Sequence, residues 1–152
     1  MACILALDVG GKRTGMAVSD EGKVFAFPLE TVPTASLIAG IKELRRQRFI
    51  DEIVMGMPVN LKHEETDGTK IAVRVLALLR KEFPDIEIST IDERFTSNMA
   101  RAALLAGGMK KSDRRQKENT DKVSAALILQ SYLEQKSRFG SVQTGKDHQH
   151  GV

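Results

Sequence analysis

Hydrophobic and polar positions fall into two rhythms along the chain, and each predicts elements. Residues 3–9, Cys-Ile-Leu-Ala-Leu-Asp-Val, form a run that is apolar on both faces, as a covered central strand requires. Met16–Asp20 and Val24–Leu29 predict two further strands, joined by a Glu21-Gly22 turn, so the first three strands read as an antiparallel meander closed by Pro33. From 34 to 48 the period changes: Leu37, Ile38, Ile41 and Leu44 share one helical face, and Lys42, Arg45, Arg46 and Arg48 lie on the other. Ile50–Met57 predicts a fourth strand, followed by a polar loop over 60–68. Ala72, Val75, Leu76, Leu79 and Phe83 predict a helix over 69–83, which Pro84-Asp85 stops. Ile86–Ile91 alternates as a fifth strand, and a helix capped by Thr96 or Ser97 ends at Gly107-Gly108. After a polar basic linker over 109–118, a long helix spans 119–136, capped by Asn119 or Thr120. The order β-β-β-α-β-α-β-α-α implies an α/β domain over 1–137. Its mixed five-stranded sheet joins a three-strand antiparallel meander to two parallel strands, with helices on both faces. The tail over 138–152 has no periodicity and is expected to be disordered.

Composition narrows this little. The chain has 152 residues, 41% hydrophobic and 28% charged, which suits a single domain with an adequate core. The single cysteine, Cys3, lies in the apolar first strand, reads as a core residue and cannot form an intramolecular disulfide. No apolar run reaches the roughly 20 residues that span a bilayer, and no signal peptide is evident, so a cytoplasmic protein without membrane contact is expected. The net charge of +3 leaves the question of an anionic partner to the distribution of charge.

Asp8 changes the picture. A carboxylate near the end of an apolar strand is costly unless it is paired, hydrogen-bonded or bound to a metal, and the glycines that follow let backbone turn close to a ligand. Asp92 and Glu93 follow the last strand, and Asp121 opens the last helix in the stripe Asp121, Ala125, Ile128, Tyr132. If the first and last strands are parallel, all of these reach one carboxyl edge, where α/β sheets gather ligands. Taken singly, Asp121 reads as an acid favoured by a helix N-terminus, Asp92 as a turn or cap residue, and Asp20 as a turn residue. Taken together, convergent carboxylates repel one another, and a hard cation such as Mg²⁺ or Mn²⁺ relieves that repulsion. Two such ions can activate a water and stabilise a leaving oxygen in phosphodiester cleavage. His148 and His150 read as solvated tail residues.

Four stretches carry a family resemblance. They are Leu-Asp-Val-Gly-Gly-Lys-Arg-Thr-Gly-Met-Ala-Val-Ser-Asp at 7–20, Gly-Met-Pro-Val-Asn at 56–60, Asp-Glu-Arg-Phe-Thr-Ser at 92–97, and Asp-Lys-Val-Ser-Ala-Ala-Leu-Ile-Leu at 121–129. Over roughly residues 3–136 the chain resembles the YqgF/RuvX family of RNase H-like nucleases, described as Holliday junction resolvases or pre-16S rRNA nucleases. The resemblance implies an RNase H-like fold and a metal-dependent nuclease. It also implies catalytic, metal-binding acids at Asp8, Glu93 and Asp121, all intact here. Gly11 stands where the family often has Thr or Ser. The first stretch alone is also similar to the Asp-x-Gly turn of actin-like ATPases, whose two large domains 152 residues would not accommodate.

The basic residues beside these acids are Lys12, Arg13 and Arg94, together with the linker cluster Lys110, Lys111, Arg114, Arg115 and Lys117, and all are assigned to nucleic-acid contact. Each linker cation is equally readable as solvated loop charge. Arg45, Arg46 and Arg48 read as a solvated helix face. Aromatic content of 5% argues for recognition by backbone and shape rather than extensive base stacking. The expected partner is structured RNA or branched DNA, and the protein is a monomer or homodimer. A nucleic-acid-binding factor that retains the fold but cleaves weakly is the alternative.

Overall fold

The structure, a computed structural model, describes residues 2–57, 67–92 and 124–137. Five strands form one sheet in the order β3-β2-β1-β4-β5. β1 (Cys3–Val9) is central, antiparallel to β2 (Arg13–Ser19) and parallel to β4 (Ile50–Met57). β3 (Ala26–Pro33) closes the meander at one edge, and β5 (Glu87–Asp92) lies parallel to β4 at the other. The mixed sheet expected from the sequence is therefore the sheet observed.

Alternation along β1 sorts the core. Leu5 and Leu7 face one side, where they pack with Leu37 and Ile41 of α1 (Leu37–Gln47) and with Ala72, Val75 and Leu79 of α2 (Asp67–Glu82). Ile4 and Ala6 face the other side and meet Ala125, Ile128 and Leu129 of α3, described over 124–137. Helices thus cover both faces, and that is why β1 is apolar at every position from Cys3 to Leu7.

The two hairpin strands depart furthest from the sequence reading; the other described elements shift by a few residues at most. β2 starts at Arg13 rather than Met16, because the turn is only Gly10–Arg13, closed by the Gly10 N–H donating to the Arg13 carbonyl at 2.9 Å. β3 runs over Ala26–Pro33 rather than 24–29. At its start, the Val24 and Phe25 N–H groups both donate to Asp20 Oδ1 at 2.8 Å, so those residues belong to the turn. At its end, Thr31, Val32 and Pro33 pair with Gly15, Thr14 and Arg13. Pro28 and Pro33 are tolerated because β3 is an edge strand. Asp20 is the turn residue expected. Burial pushes its carboxyl upward, but the backbone donors outweigh that and hold it below the usual aspartate range.

The α1 cations are engaged within the fold. Arg45 meets Asp85 at 2.6 Å and lies over the Phe83 ring at 5.6 Å, Lys42 reaches Glu82 at 3.7 Å, and Arg46 reaches Glu43 at 3.7 Å. The exposed pairs add little stability, but they make this face a seam with the end of α2.

One buried polar cluster has no counterpart in the sequence reading. Glu52 on β4 is 2% exposed. It accepts hydrogen bonds from the Tyr132 hydroxyl and from Ser89 Oγ at 3.2 Å, and pairs with Lys136 Nζ at 2.7 Å. Burial first, and the adjacent Glu52 carboxylate second, push the Tyr132 phenol up to about 12. Neutral Tyr132 therefore contributes stability that is complete below the ordinary tyrosine value near 10 and is lost as pH rises through about 12. The chain has one tyrosine and no tryptophan, so tyrosinate absorbance reads this group alone. The folded protein, with helicity followed in parallel, should titrate near 12 and the denatured chain near 10. A folded midpoint at the ordinary value would contradict the burial argument.

Candidate active site

Asp8 sits at the carboxyl end of β1. Because β4 and β5 run parallel to β1, their ends at Met57 and Asp92 lie along the same edge. β3 also ends there, and α1 follows it directly through a 3₁₀ turn over Thr34–Ser36. The start of α2 is at this edge too, since a Cβ built on Gly11 would stand 3.3 Å from Ile71 Cδ1.

Asp8 shares the α3 face of the sheet with Ile4 and Ala6, and is half-buried. Its cross-strand partner on β2 is Gly15. On β4, Gly56 follows Met55, the parallel partner of Leu7, and so lies level with Asp8. Glycines therefore flank the carboxylate on both neighbouring strands, and neither contributes a side chain beside it. Glycine within a strand weakens it, and often marks close approach by a ligand or another backbone. Neither glycine was singled out as a site residue from the sequence: Gly15 reads there as part of the turn before Met16, and only Gly56, inside the Ile50–Met57 run, offered a signal.

The turn after Asp8 is held from outside. Thr34 Oγ1 donates to the Gly10 carbonyl at 2.6 Å and shares a hydrogen bond with Thr14 Oγ1 at 2.9 Å, while the Thr34 N–H donates to the Lys12 carbonyl at 2.9 Å. Lys12 and Arg13 are exposed on this pinned turn, next to Asp8. Thr34→Val should leave the buried Thr14 hydroxyl and the Gly10 carbonyl short of a partner and lower stability by about 1–3 kcal/mol. An unchanged denaturation midpoint would show that water replaces the threonine without loss.

Asp92, the other described acid at this edge, is not on the Asp8 face. Ser89 and Ile91 of β5 turn toward α3, so alternation sends Asp92 to the α2 side with Ile88. Glu93, Asp121, Arg94, Lys110, Lys111, Arg114, Arg115 and Lys117 lie outside the described residues, as do the helix expected between Thr96 and Gly107 and the tail over 138–152. Among the described residues, no three His, Cys, Asp or Glu side chains gather as a metal site. No described helix is long and apolar enough to cross a membrane.

The family described as RuvX: Holliday junction resolvase matches residues 2–135. A Phocaeicola vulgatus protein bearing the provisional name pre-16S rRNA nuclease is 43% identical over 136 residues, covering 90% of this chain and 98% of that protein. The fold is similar to that of Thermus thermophilus RuvC in complex with a Holliday junction substrate, with a TM-score of 0.58 and 14% identity over 89% of this chain and 96% of that one. It is also similar to the Fowlpox virus resolvase in complex with Holliday junction DNA, with a TM-score of 0.55 and 11% identity over 88% of this chain and 97% of that one.

Proposed function

The chain belongs to the RuvX family of Holliday junction resolvases, and we propose that it is a divalent-metal-dependent nuclease with Asp8, Glu93 and Asp121 as its catalytic acids. The observation that carries this reading is the half-buried Asp8 carboxylate at the carboxyl edge of the central strand, between Gly15 and Gly56. β5 ends one residue before Glu93, which is proposed to join Asp8 at this edge. α3, as described over 124–137, is antiparallel to β4: Tyr132 and Lys136 near its end meet Glu52 near the β4 start, so the start of the described helix lies toward the Asp8 edge, and Asp121, which precedes it in the chain, is proposed as the third acid.

The donor set is entirely carboxylate, which suits Mg²⁺ or Mn²⁺. A bound ion would supply charge neutralisation and activate a water toward the phosphodiester. Asp8 provides a hard oxygen donor held by a strand that cannot shift without breaking the core. Lys12 and Arg13, on the turn pinned by Thr34, are placed to meet backbone phosphates, and the linker cations Lys110, Lys111, Arg114, Arg115 and Lys117 and the flanking Arg94 extend that role. Replacing Arg114 and Arg115 together by alanine should reduce affinity and lower the log–log salt slope by roughly one for each lost phosphate contact. Unchanged affinity at low salt would make the cluster solvated surface.

The proposed substrate is precursor 16S rRNA, since a relative at 43% identity is named for a nuclease of that RNA; cleavage at the 5′ end in the cytoplasm is part of the same proposal. Branched DNA is the second reading, favoured by the family description and the fold shared with junction-bound resolvases. It needs two active sites and hence a homodimer, whereas a monomer suffices for trimming. The test is cleavage of a labelled precursor rRNA fragment and a labelled four-way junction, side by side, with Mg²⁺, Mn²⁺ or a chelator. Metal-dependent cutting of the RNA supports the first reading, and paired symmetric cuts in the junction support the second. Tight binding without cleavage of either would replace both with a non-cleaving binding factor.

A further inference from the structure

From Ala125 to Ser131 every residue of α3 is buried. A helix buried on all sides has no amphipathic stripe to fix its rotation, and a run built from Ala125, Ala126, Leu127, Ile128 and Leu129 offers apolar contact at any angle. Sliding by one residue would rotate the helix by about 100° and move it about 1.5 Å. Two polar contacts resist that movement, on two different parts of the sheet. The Gln130 amide forks onto the start of β3: its Oε1 accepts from the Ala26 N–H at 3.0 Å and its Nε2 donates to the Val24 carbonyl at 3.1 Å. Two and six residues on, Tyr132 and Lys136 converge on the two oxygens of buried Glu52, with Ser89 beside them. All these hydrogen bonds would be lost in any neighbouring register.

We propose that Gln130 and the Glu52–Tyr132–Lys136 cluster are positioning residues that fix the rotation and axial register of α3, and through it the place of Asp121 relative to Asp8. The first half stands on the contacts above, and the second rests on the assignment of Asp121 to the catalytic acids. Buried polar groups often select one register among apolar alternatives, and here the selected register matters at the opposite edge of the sheet. Neither contact touches the reacting atoms, so their removal acts through geometry.

The test uses the full chain with Gln130→Leu and Tyr132→Phe, singly and together, and with Glu52→Gln, which keeps an acceptor for Tyr132 and Ser89. Residual dipolar couplings report the orientation of α3 against the sheet without metal, and calorimetry with Mn²⁺ alone reports ion binding. The expected result is a reoriented α3 in the single variants and more so in the double one. Mn²⁺ affinity should weaken about tenfold, and kcat should fall with KM for nucleic acid unchanged, while Glu52→Gln, which keeps the Tyr132 acceptor but loses the Lys136 ion pair, should reorient α3 less than Tyr132→Phe. Wild-type couplings and wild-type Mn²⁺ affinity in folded Gln130→Leu and Tyr132→Phe would overturn the proposal. If the wild-type protein itself binds no Mn²⁺, the metal-nuclease reading fails, and the couplings alone decide whether the contacts set the helix. A double variant that does not fold leaves the decision to the two single variants.

Discussion

Asp8→Asn should abolish cleavage while leaving the fold intact. Asparagine nearly preserves the shape of the side chain and can still offer one oxygen. It removes the negative charge on which a divalent ion at this edge depends. The residue lies just past the fully buried run Cys3–Leu7, so the core packing of β1 is not disturbed. Loss of a central charge-bearing group of this kind is expected to lower the rate by at least about 10³-fold. Binding of nucleic acid without metal should be similar or tighter, since the phosphates meet one negative charge fewer. Thermal melting, binding and metal-dependent cleavage on one preparation separate these effects. A variant that melts normally and cuts at the wild-type rate would remove Asp8 from the mechanism.

The second large effect is expected at Gly10, and its neighbours show why position matters more than residue type. A Cβ on Gly10 would stand 2.7 Å from the Arg13 carbonyl oxygen, a backbone atom with nowhere to move because the Gly10 N–H donates to that same oxygen. Gly10→Ala should therefore open the β1–β2 turn and destabilise the protein by about 3 kcal/mol, the upper end of the range for overpacking. It should also impair cleavage, since Asp8, Lys12 and Arg13 all hang on that turn. At Gly11 the added carbon would meet only the end of the Ile71 side chain at 3.3 Å, and a change below about 1 kcal/mol is expected. At Gly40, inside α1, it would meet Val32 Cγ1 at an ordinary 3.8 Å, so alanine should stabilise by about 0.5–1 kcal/mol through helix propensity and a less flexible unfolded chain. Denaturant titration of the three variants checks the order. A Gly10→Ala protein as stable as wild type would mean the turn relaxes where the contacts say it cannot.

The strands that were legible in full are those buried on both faces. β1 and β4 have the bounds read from the sequence because dense apolar runs, interrupted only by Asp8 in β1 and by Asp51, Glu52 and Gly56 in β4, end at turn residues. The hairpin strands were less legible. Arg13, Thr14 and Gly15 look like turn chemistry but pair as strand, and the edge strand β3 carries two prolines and a half-exposed polar stretch that hides its length. Asp8 was found because a charge in an apolar strand demands an explanation. The same reasoning applied to Glu52, inside Ile50–Met57, would have found the second buried carboxylate, with Tyr132 and Lys136 four residues apart on the last helix as its partners. The two carboxylates differ in their surroundings. Glu52 is held by donors from α3 and β5 near the start of β4, and Asp8 lies at the opposite, carboxyl edge, level with a glycine on each neighbouring strand. The mixed sheet with its antiparallel meander and parallel strands, and the place of Asp8 near the end of its first strand, followed from pattern alone; the RNase H-like class followed from the motif stretches, and the strand order from the structure. The selection of Glu93 and Asp121 followed from the four motif stretches.

The central claim is that Asp8 holds a divalent ion together with two acids from distant parts of the chain. Anomalous diffraction from crystals soaked in Mn²⁺ tests it most directly. The account predicts manganese density at about 2.1–2.2 Å from an Asp8 carboxylate oxygen, with Glu93 and Asp121 oxygens in the same coordination shell, and none in crystals of Asp8→Asn. Manganese bound elsewhere, with Asp8 outside its coordination, would contradict it.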